Sequence, residues 1–290
     1  MAVLRRLEST FAGRCLTTFL AVRGIDRALV IASQAFTALV PLVLLVAALA
    51  PRDQGDLLAD ALVDRFRLTG DTAAAMRELF AHSGDGATGT FSVLLLVFSG
   101  VSLTRRMQHL FEEAWHVAPR RGVGHVAHAV AGLSVLLAGI ALLYLGRALV
   151  EPFPLPRVTA GVVSAGAGFL LWTTVPWLLL DRRLAWRRFV PTGLLTAVCT
   201  GLYGGASTVY LPGLFETYSL RYGLFGVTLA LVGWLLCIAV ILVATATVAA
   251  ELDRAPEPWA RRLLAPFGQL PDHRTGSPAA GGVDRPPAGP

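Results

Sequence analysis

The sequence has no lysine, and charged residues make up only 15% of its 290 positions. Soluble globular chains carry about 25% charged residues, so this chain has too little charge to cover a water-exposed surface. Intrinsic disorder is also excluded for most of the chain, because disorder requires low hydrophobicity and 54% of these residues are hydrophobic. These properties favour a protein embedded in lipid.

Cysteine pairs and enzyme motifs are lacking as well. Cys15, Cys199 and Cys237 are far apart in the chain, so they form neither a disulfide framework nor a C-x-x-C metal pair. The motifs of zinc proteases, serine hydrolases and P-loop proteins are absent. The net charge of +6 comes from arginines that flank apolar segments, which does not indicate nucleic-acid binding. We therefore expect no enzymatic activity, no cofactor and no nucleic-acid partner.

Long apolar segments dominate the chain. Six stretches contain no arginine, aspartate or glutamate: 28–51, 87–104, 122–146, 158–180, 189–215 and 223–250. A helix needs about 20 apolar residues to cross a bilayer core of about 30 Å. The backbone must also satisfy its own hydrogen bonds in lipid, which helices do. The sequence predicts an all-α polytopic membrane protein with six transmembrane helices.

Arginine is distributed unevenly between alternate connections. One set of segments holds 18 arginines and the other set holds 7. The positive-inside rule places the richer set in the cytoplasm. Both termini are then predicted to be cytoplasmic, with membrane lipids as partners.

The remaining segments complete the predicted organisation. We expect a cytoplasmic amphipathic segment at 1–27, a six-helix membrane domain at 28–254 and a largely disordered cytoplasmic tail at 255–290. Within the membrane domain, 52–86 is an outer helical connection and 105–118 a cytoplasmic amphipathic helix. Gly70 is expected to end the first outer helix in a left-handed conformation. The outer connection is either a lid over the spans or a gate for substrate.

The N-terminal segment has apolar residues at helical spacing. They are Leu4, Leu7, Phe11, Cys15, Phe19 and Val22. Such a helix either lies on the inner membrane face, with its arginines near anionic lipid, or packs against other cytoplasmic segments. Both interpretations are open at this point.

The helix at 105–118 has two opposite faces at 100° per residue. Its predicted apolar face consists of Met107, Leu110, Phe111, Ala114 and Ala118. The opposite face carries His109, Glu112, Glu113 and His116. Histidine and glutamate at spacings of three and four could bind a metal, but a solvated helix face shows the same pattern. We favour the solvated face and expect no bound metal.

The polar residues within the spans are uncharged, and ionisable residues lie only at the ends of the spans. Candidates for a polar path are Gln34, Thr37, Thr173, Thr174 and Thr200. Gln34 is the leading candidate, because its amide needs a partner inside the bundle. The alternative is structural, since such groups also hydrogen-bond between helices. Prolines 41, 176 and 191 are expected to kink their helices.

Small residues recur at every fourth position of the fifth span. They are Gly193, Ala197, Gly201 and Gly205. A small-residue stripe lets helix backbones approach closely. The contact is predicted either within one chain or between protomers of a homo-oligomer.

Four segments resemble the YihY/BrkB family of bacterial inner-membrane proteins. They are IASQAFTALVPLVLLVAALAP (31–51), SGVSLTRRMQHLFEEAWHVAPRR (99–121), RRFVPTGLLTAV (187–198) and YSLRYGLFGVTLALVGWLLCIAVILVATATVAAELDR (218–254). The resemblance covers about residues 20–255 and implies six helices with cytoplasmic termini. Family members have been labelled ribonuclease BN, a label regarded as misassigned, and virulence-associated or transport-like proteins. The resemblance implies no catalytic residues.

Three hypotheses of function follow. The first is a non-enzymatic transport or envelope protein that handles a lipid or amphiphile, because the spans lack deep charges. The second is a structural or partner-binding membrane protein assembled through its small-residue stripe. The third, which we favour least, is a metal-dependent membrane hydrolase that uses the histidines and glutamates of 105–118.

Overall fold

The computed structural model describes residues 10–49, 86–118 and 157–264, together with separate positions between 60 and 78 and between 131 and 139. This part of the chain is helical and contains no strand. Its helices are α1 (Phe11–Ala21), α2 (Gly24–Leu49), α3 (Gly86–Ala114), α4 (Arg157–Leu179), α5 (Val190–Arg254) and α6 (Pro258–Leu264), with a 3-10 turn at Trp186–Phe189 before α5. The predicted all-α class is confirmed for the described residues.

Helix α5 is a hairpin of two antiparallel arms. Gly223 interrupts it with a φ of 56° and a ψ of −141°, a conformation open almost only to glycine. Leu211 and Phe215 of the first arm pack against Ala230 of the second. The arms thus run side by side from a turn at the connection predicted between the fifth and sixth spans.

Three helices are long and apolar enough to cross a membrane: Gly24–Val43, Trp186–Gly223 and Phe225–Arg254. They correspond to the first, fifth and sixth predicted spans. The fourth span contains a shorter apolar helix, Ser164–Leu179, and the second lies within α3. The third span, 122–146, falls mostly outside the described residues, so the total of six stays a prediction, as does the orientation.

The main core lies at one end of the bundle, which we call the charged end. It is formed where the start of α2, the ends of α3 and α4, and both ends of the α5 hairpin meet. Its largest fully buried side chains include Phe111, Phe189, Leu110, Leu179, Leu180, Val175 and Val243. Since arginines and glutamates surround this core, the tightest packing coincides with the end that the positive-inside rule predicts to be cytoplasmic.

Large apolar side chains are exposed over the remaining length of the helices. Phe98 is 79% exposed on α3, and Val209 and Leu202 are 83% and 71% exposed on α5. Water-facing surfaces rarely carry apolar patches of this kind, whereas a lipid-facing helix surface requires them. The exposure fits the apolar spans predicted from the sequence.

Helices at the charged end stop abruptly. His116 follows α3 with a φ of 52°, and Asp181 follows α4 with a φ of 59°. In each case a backbone hydrogen bond from residue i to residue i−5 closes the last turn. Val117 N donates to Glu112 O over 2.8 Å, and Arg182 N donates to Trp177 O over 3.1 Å. This is the Schellman ending, in which glycine is the usual left-handed residue.

The outer connection is described at only a few positions, all of them helical. Gly70 has a φ of 59°, so its predicted left-handed conformation is confirmed. The Arg77 Nε donates to Asp60 Oδ1 over 2.8 Å, and Val63 and Ala73 pack near Val227 just beyond the hairpin turn. Whether the segment acts as a lid or a gate stays a prediction.

One local prediction needs revision. Pro191 occupies the first turn of α5 and does not kink the helix, because the first turn has no intrahelical bond for proline to break. Pro41 and Pro176 do lie inside α2 and α4. In the tail predicted to be largely disordered, Pro258–Leu264 forms the short helix α6, and residues after 264 lie outside the described part.

Candidate functional site

The charged end contains a crevice of about 530 Å³ between α1, the first turn of α2 and the last turn of α3. Its polar lining consists of Thr18, Arg27, His109, Glu112, Glu113 and His116. Both signs of charge therefore face one cavity. Small-molecule sites have volumes of about 300–1,000 Å³, so the crevice is large enough for a ligand.

Arg27 is held in place at one wall of the crevice. Its Nε donates to the Val22 carbonyl oxygen over 2.7 Å, where the chain passes from α1 to α2. Its Nη2 donates to the Glu113 carboxylate in an ion pair that joins α2 to α3. The guanidinium is thus oriented by two elements.

Glu112 is buried, contrary to the prediction that it shares a solvated face with its neighbours. Its side chain is 5% exposed, whereas the His109 side chain is 55% exposed. The apolar face of Met107, Leu110 and Phe111 is buried as predicted. The buried surface is wider than that stripe because α3 contacts α2, α4 and α5. Ala118, predicted on the apolar face, is exposed, since the helix has already ended.

Two side chains contact the Glu112 carboxylate. Gln108 Nε2 donates to Glu112 Oε1 over 3.4 Å, and His109 Nδ1 lies 3.2 Å from Glu112 Oε2. An amide carries no charge, and histidine is cationic only when protonated. Within the described residues, no group of three or more His, Cys, Asp or Glu side chains is placed to hold a metal ion.

Glu251, near the end of α5, connects that helix to α1 beside the crevice. The Thr18 hydroxyl donates to Glu251 Oε1 over 2.8 Å, and Arg254 Nη1 donates to the same oxygen over 3.1 Å. Arg14 Nε lies 4.0 Å from Glu251 Oε2. Because the Glu251 side chain is only 10% exposed, these contacts compensate a buried carboxylate.

Helix α1 is also bound to α6. Arg14 Nη2 donates to Glu257 Oε1, and the rings of Phe11 and Trp259 meet edge to face with centroids 5.1 Å apart. The hydrogen bond from Arg14 holds the pKa of Glu257 below its usual value. Burial, followed by the nearby Glu251 charge, raises the pKa of the Cys15 thiol.

These contacts bear on the two interpretations of the N-terminal segment. Cys15 and Val22, on the predicted apolar face, are buried against the protein, as the packed-helix interpretation expects. The neighbouring flank exposes Leu16 at 51% and Leu20 at 63%. Leu4 and Leu7 lie outside the described residues.

The candidate polar-path residues lie at different depths. Thr173 is fully buried and donates to the Phe169 carbonyl oxygen, and half-buried Thr200 donates to that of Thr196. Exposed Thr37 donates to the carbonyl oxygen of Ser33. Gln34 and Thr174 are half-buried. The three hydroxyls thus bond within their own helices, and a continuous path stays a prediction.

The small-residue stripe has two different halves. A methyl group added at Gly193 would overlap the Thr173 side chain, and one at Gly168 would lie 4.0 Å from Ala197. This half brings α4 and α5 together. At Gly201 and Gly205 no atom lies within 4 Å of an added methyl group, so that half makes no close contact in the described chain.

Several residues of the site were missed by sequence reasoning. Arg27, Thr18 and Gln108 had no assigned role, and Glu251 was recognised only as a residue at a span end. Arg27 meets Glu113 across 86 positions and Thr18 meets Glu251 across 233. Sequence patterns relate residues only a few positions apart, so they could not have identified these pairs.

Residues 16–263 match the family described as Virulence factor BrkB. The chain belongs to this family. The resemblance predicted from the sequence is therefore confirmed, and the BrkB match runs from within α1 to within α6, so it includes every residue that lines the crevice. No curated protein and no solved structure matches the chain.

Proposed function

We propose that this BrkB-family protein is an integral protein of the bacterial plasma membrane that handles a lipid or another amphiphile, in transport or in maintenance of the envelope. Six spans and cytoplasmic termini are part of the proposal. The three long apolar helices and the arginine asymmetry of the sequence support it. Neither enzymatic activity nor a cofactor is part of the proposed role.

One observation carries the proposal. The crevice at the charged end has both signs of charge in its lining, while the helices leading away from it expose large apolar side chains such as Phe98 and Leu94. A polar site beside a lipid-facing surface matches a ligand with a polar head and apolar tails. A soluble polar substrate would gain nothing from the apolar surface.

Reconstitution into lipid vesicles tests transport directly. The purified full chain is incorporated into vesicles that carry a fluorescent phospholipid, and movement between leaflets is followed by chemical quenching from outside. We expect faster movement than in protein-free vesicles prepared in parallel. Equal rates with every phospholipid tested would contradict the transport form of the proposal.

The second candidate is a structural protein that assembles as a homo-oligomer. It is favoured by the open half of the stripe, where Gly201 and Gly205 border exposed Leu202. Gly201→Leu should dissociate such an oligomer, as measured by light scattering in detergent. Gly233→Leu is the matched control, because Gly233 on the second α5 arm also has no atom within 4 Å. An unchanged mass for Gly201→Leu would remove this candidate.

A further inference from the structure

The crevice at the charged end has the features of a binding site for one class of headgroup. We infer that it binds a zwitterionic amine-phosphate group, with the ammonium at Glu112 and the phosphate at Arg27 and His116. The inference rests on the proposed handling of amphiphiles and names the part of the ligand that is recognised. Phosphoethanolamine is the simplest group with this chemistry.

Glu112 provides the cation site. It is a carboxylate with 5% side-chain exposure that lines the crevice. Buried carboxylates are normally paired with a cation, yet Arg27 is bound to Glu113. Its contacts are to the Gln108 amide over 3.4 Å and to His109 Nδ1 at 3.2 Å, and the second is an ion pair only when His109 is protonated. A primary ammonium in the crevice would supply three donors and a positive charge beside this carboxylate.

Arg27 provides the phosphate site. A guanidinium has five donor hydrogens in a fixed planar arrangement that suits phosphate. The bonds to Val22 O and to Glu113 use one hydrogen on Nε and one on Nη2. The side chain is therefore oriented before a ligand arrives, and its other hydrogens are available for phosphate oxygens at the crevice wall.

His116 adds a second donor at the mouth. It occupies the left-handed position after α3 with a φ of 52°, where glycine would avoid the steric cost. Its side chain lines the crevice. The imidazole at this position is the second group assigned to the phosphate.

The arrangement also excludes other headgroups. A purely anionic headgroup would bring its phosphate to Arg27 but would leave Glu112 without a cation and close to added negative charge. A simple ammonium would satisfy Glu112 but not use Arg27 or His116. Only a ligand with both charges satisfies both walls, and this predicts selectivity between lipids with identical chains.

Binding to the full-length protein in detergent tests the inference by titration calorimetry. The probes are dihexanoyl-phosphatidylethanolamine and dihexanoyl-phosphatidylglycerol, which differ in the amine, and free O-phosphoethanolamine. We expect the ethanolamine lipid to bind more tightly than the glycerol lipid. Glu112→Gln keeps the shape of the side chain and removes its charge. It should lower the affinity for the ethanolamine lipid by roughly tenfold or more and leave the affinity for the glycerol lipid unchanged. Equal affinity of the two lipids for the unchanged protein would overturn the inference.

Control variants separate binding from folding. Glu216→Gln removes an exposed carboxylate near the α5 turn and should leave both affinities unchanged. His116→Ala alters an exposed side chain. Because a phosphate contact is lost, it should lower the affinity for both lipids without lowering the midpoint of thermal unfolding. If Glu112→Gln fails to fold, an unchanged affinity of His116→Ala for both lipids would still overturn the inference.

The probes also distinguish a lipid headgroup from a free soluble ligand. Together with the vesicle assay, they test the binding site and the transport proposal separately. Free O-phosphoethanolamine that binds as tightly as the short-chain lipid would support the same site with a soluble ligand. Selective binding without movement in vesicles would support the site and contradict transport. Movement of phospholipids in vesicles, with equal binding of the ethanolamine and glycerol lipids, would support transport and contradict the amine-phosphate site.

Discussion

The charged end of the bundle and the helical surface beyond it are stabilised in different ways. At the charged end, helices from distant parts of the chain meet in a close-packed core with ion pairs around it, and residues such as Ala246 and Phe189 have no exposed surface. Away from it, the α5 arms share a smaller cluster around Phe215, and side chains such as Val209 are almost fully exposed. Specific packing is thus concentrated where polar contacts are possible, while the remaining helical surface is apolar and exposed.

The first prediction compares the two halves of the small-residue stripe and has the largest expected effect. Gly193→Ala should destabilise the protein by about 1–3 kcal/mol or more, because the added methyl group overlaps Thr173 in a packed region. Gly201→Ala is the matched control and should be neutral or slightly stabilising. Thermal unfolding in detergent measures both. Equal midpoints for the two variants would mean that α4 and α5 are not held together at Gly193.

The second prediction concerns the turn at the far end of α5. Gly223→Ala should cost about 1–3 kcal/mol, because a Cβ is strained at a φ of 56° and a ψ of −141°. Gly213→Ala, at an exposed position with open space, is the control. A variant at Gly223 with unchanged thermal midpoint would indicate that the hairpin turn is not rigid in the folded protein.

The third prediction is a gain of stability at the charged end. His116→Gly should stabilise the protein by about 1 kcal/mol, since glycine adopts the left-handed ending of α3 without steric cost. The same variant should lose affinity for dihexanoyl-phosphatidylethanolamine. A stable variant with full affinity would separate the backbone conformation from ligand binding and count against the role of this side chain.

The smallest expected effect is the pH response of the contact between α1 and α6. Because the folded-state pKa of Glu257 is lowered by Arg14, its contribution to stability is complete above the ordinary glutamate pKa of about 4.3. It is lost as the pH falls through the lower, folded value. Glu257→Gln should remove this part of the acid dependence, so its midpoint approaches that of the unchanged protein at low pH. Parallel curves down to about pH 3 would contradict the pairing.

The sequence was sufficient for features with local causes. Hydropathy located the helices that can cross a membrane, since the bilayer imposes a minimum length on each apolar segment. Gly70 was assigned a left-handed conformation because glycine avoids the steric penalty at helix ends. The family was identified from four segments in their correct order.

Features that depend on distant residues could not be predicted. Glu112 belongs to a polar stripe when α3 is considered alone, and its burial follows from the helices that surround it. The crevice needs Arg27 and Glu113 together, and their 86-residue separation gives no pattern to detect. The two halves of the stripe have the same spacing and differ only in what lies opposite.

The contact between α1 and α6 has a consequence for biogenesis. Arg14 and Glu257 are separated by 243 positions, so α1 completes this contact only after α5 has been synthesised. Until then Arg14 and Phe11 lack their partners Glu257 and Trp259. A protein truncated before α6 would therefore hold α1 only through its contacts with α2 and α5, and the end of α1 that carries Phe11 would be the first part of the charged end to loosen.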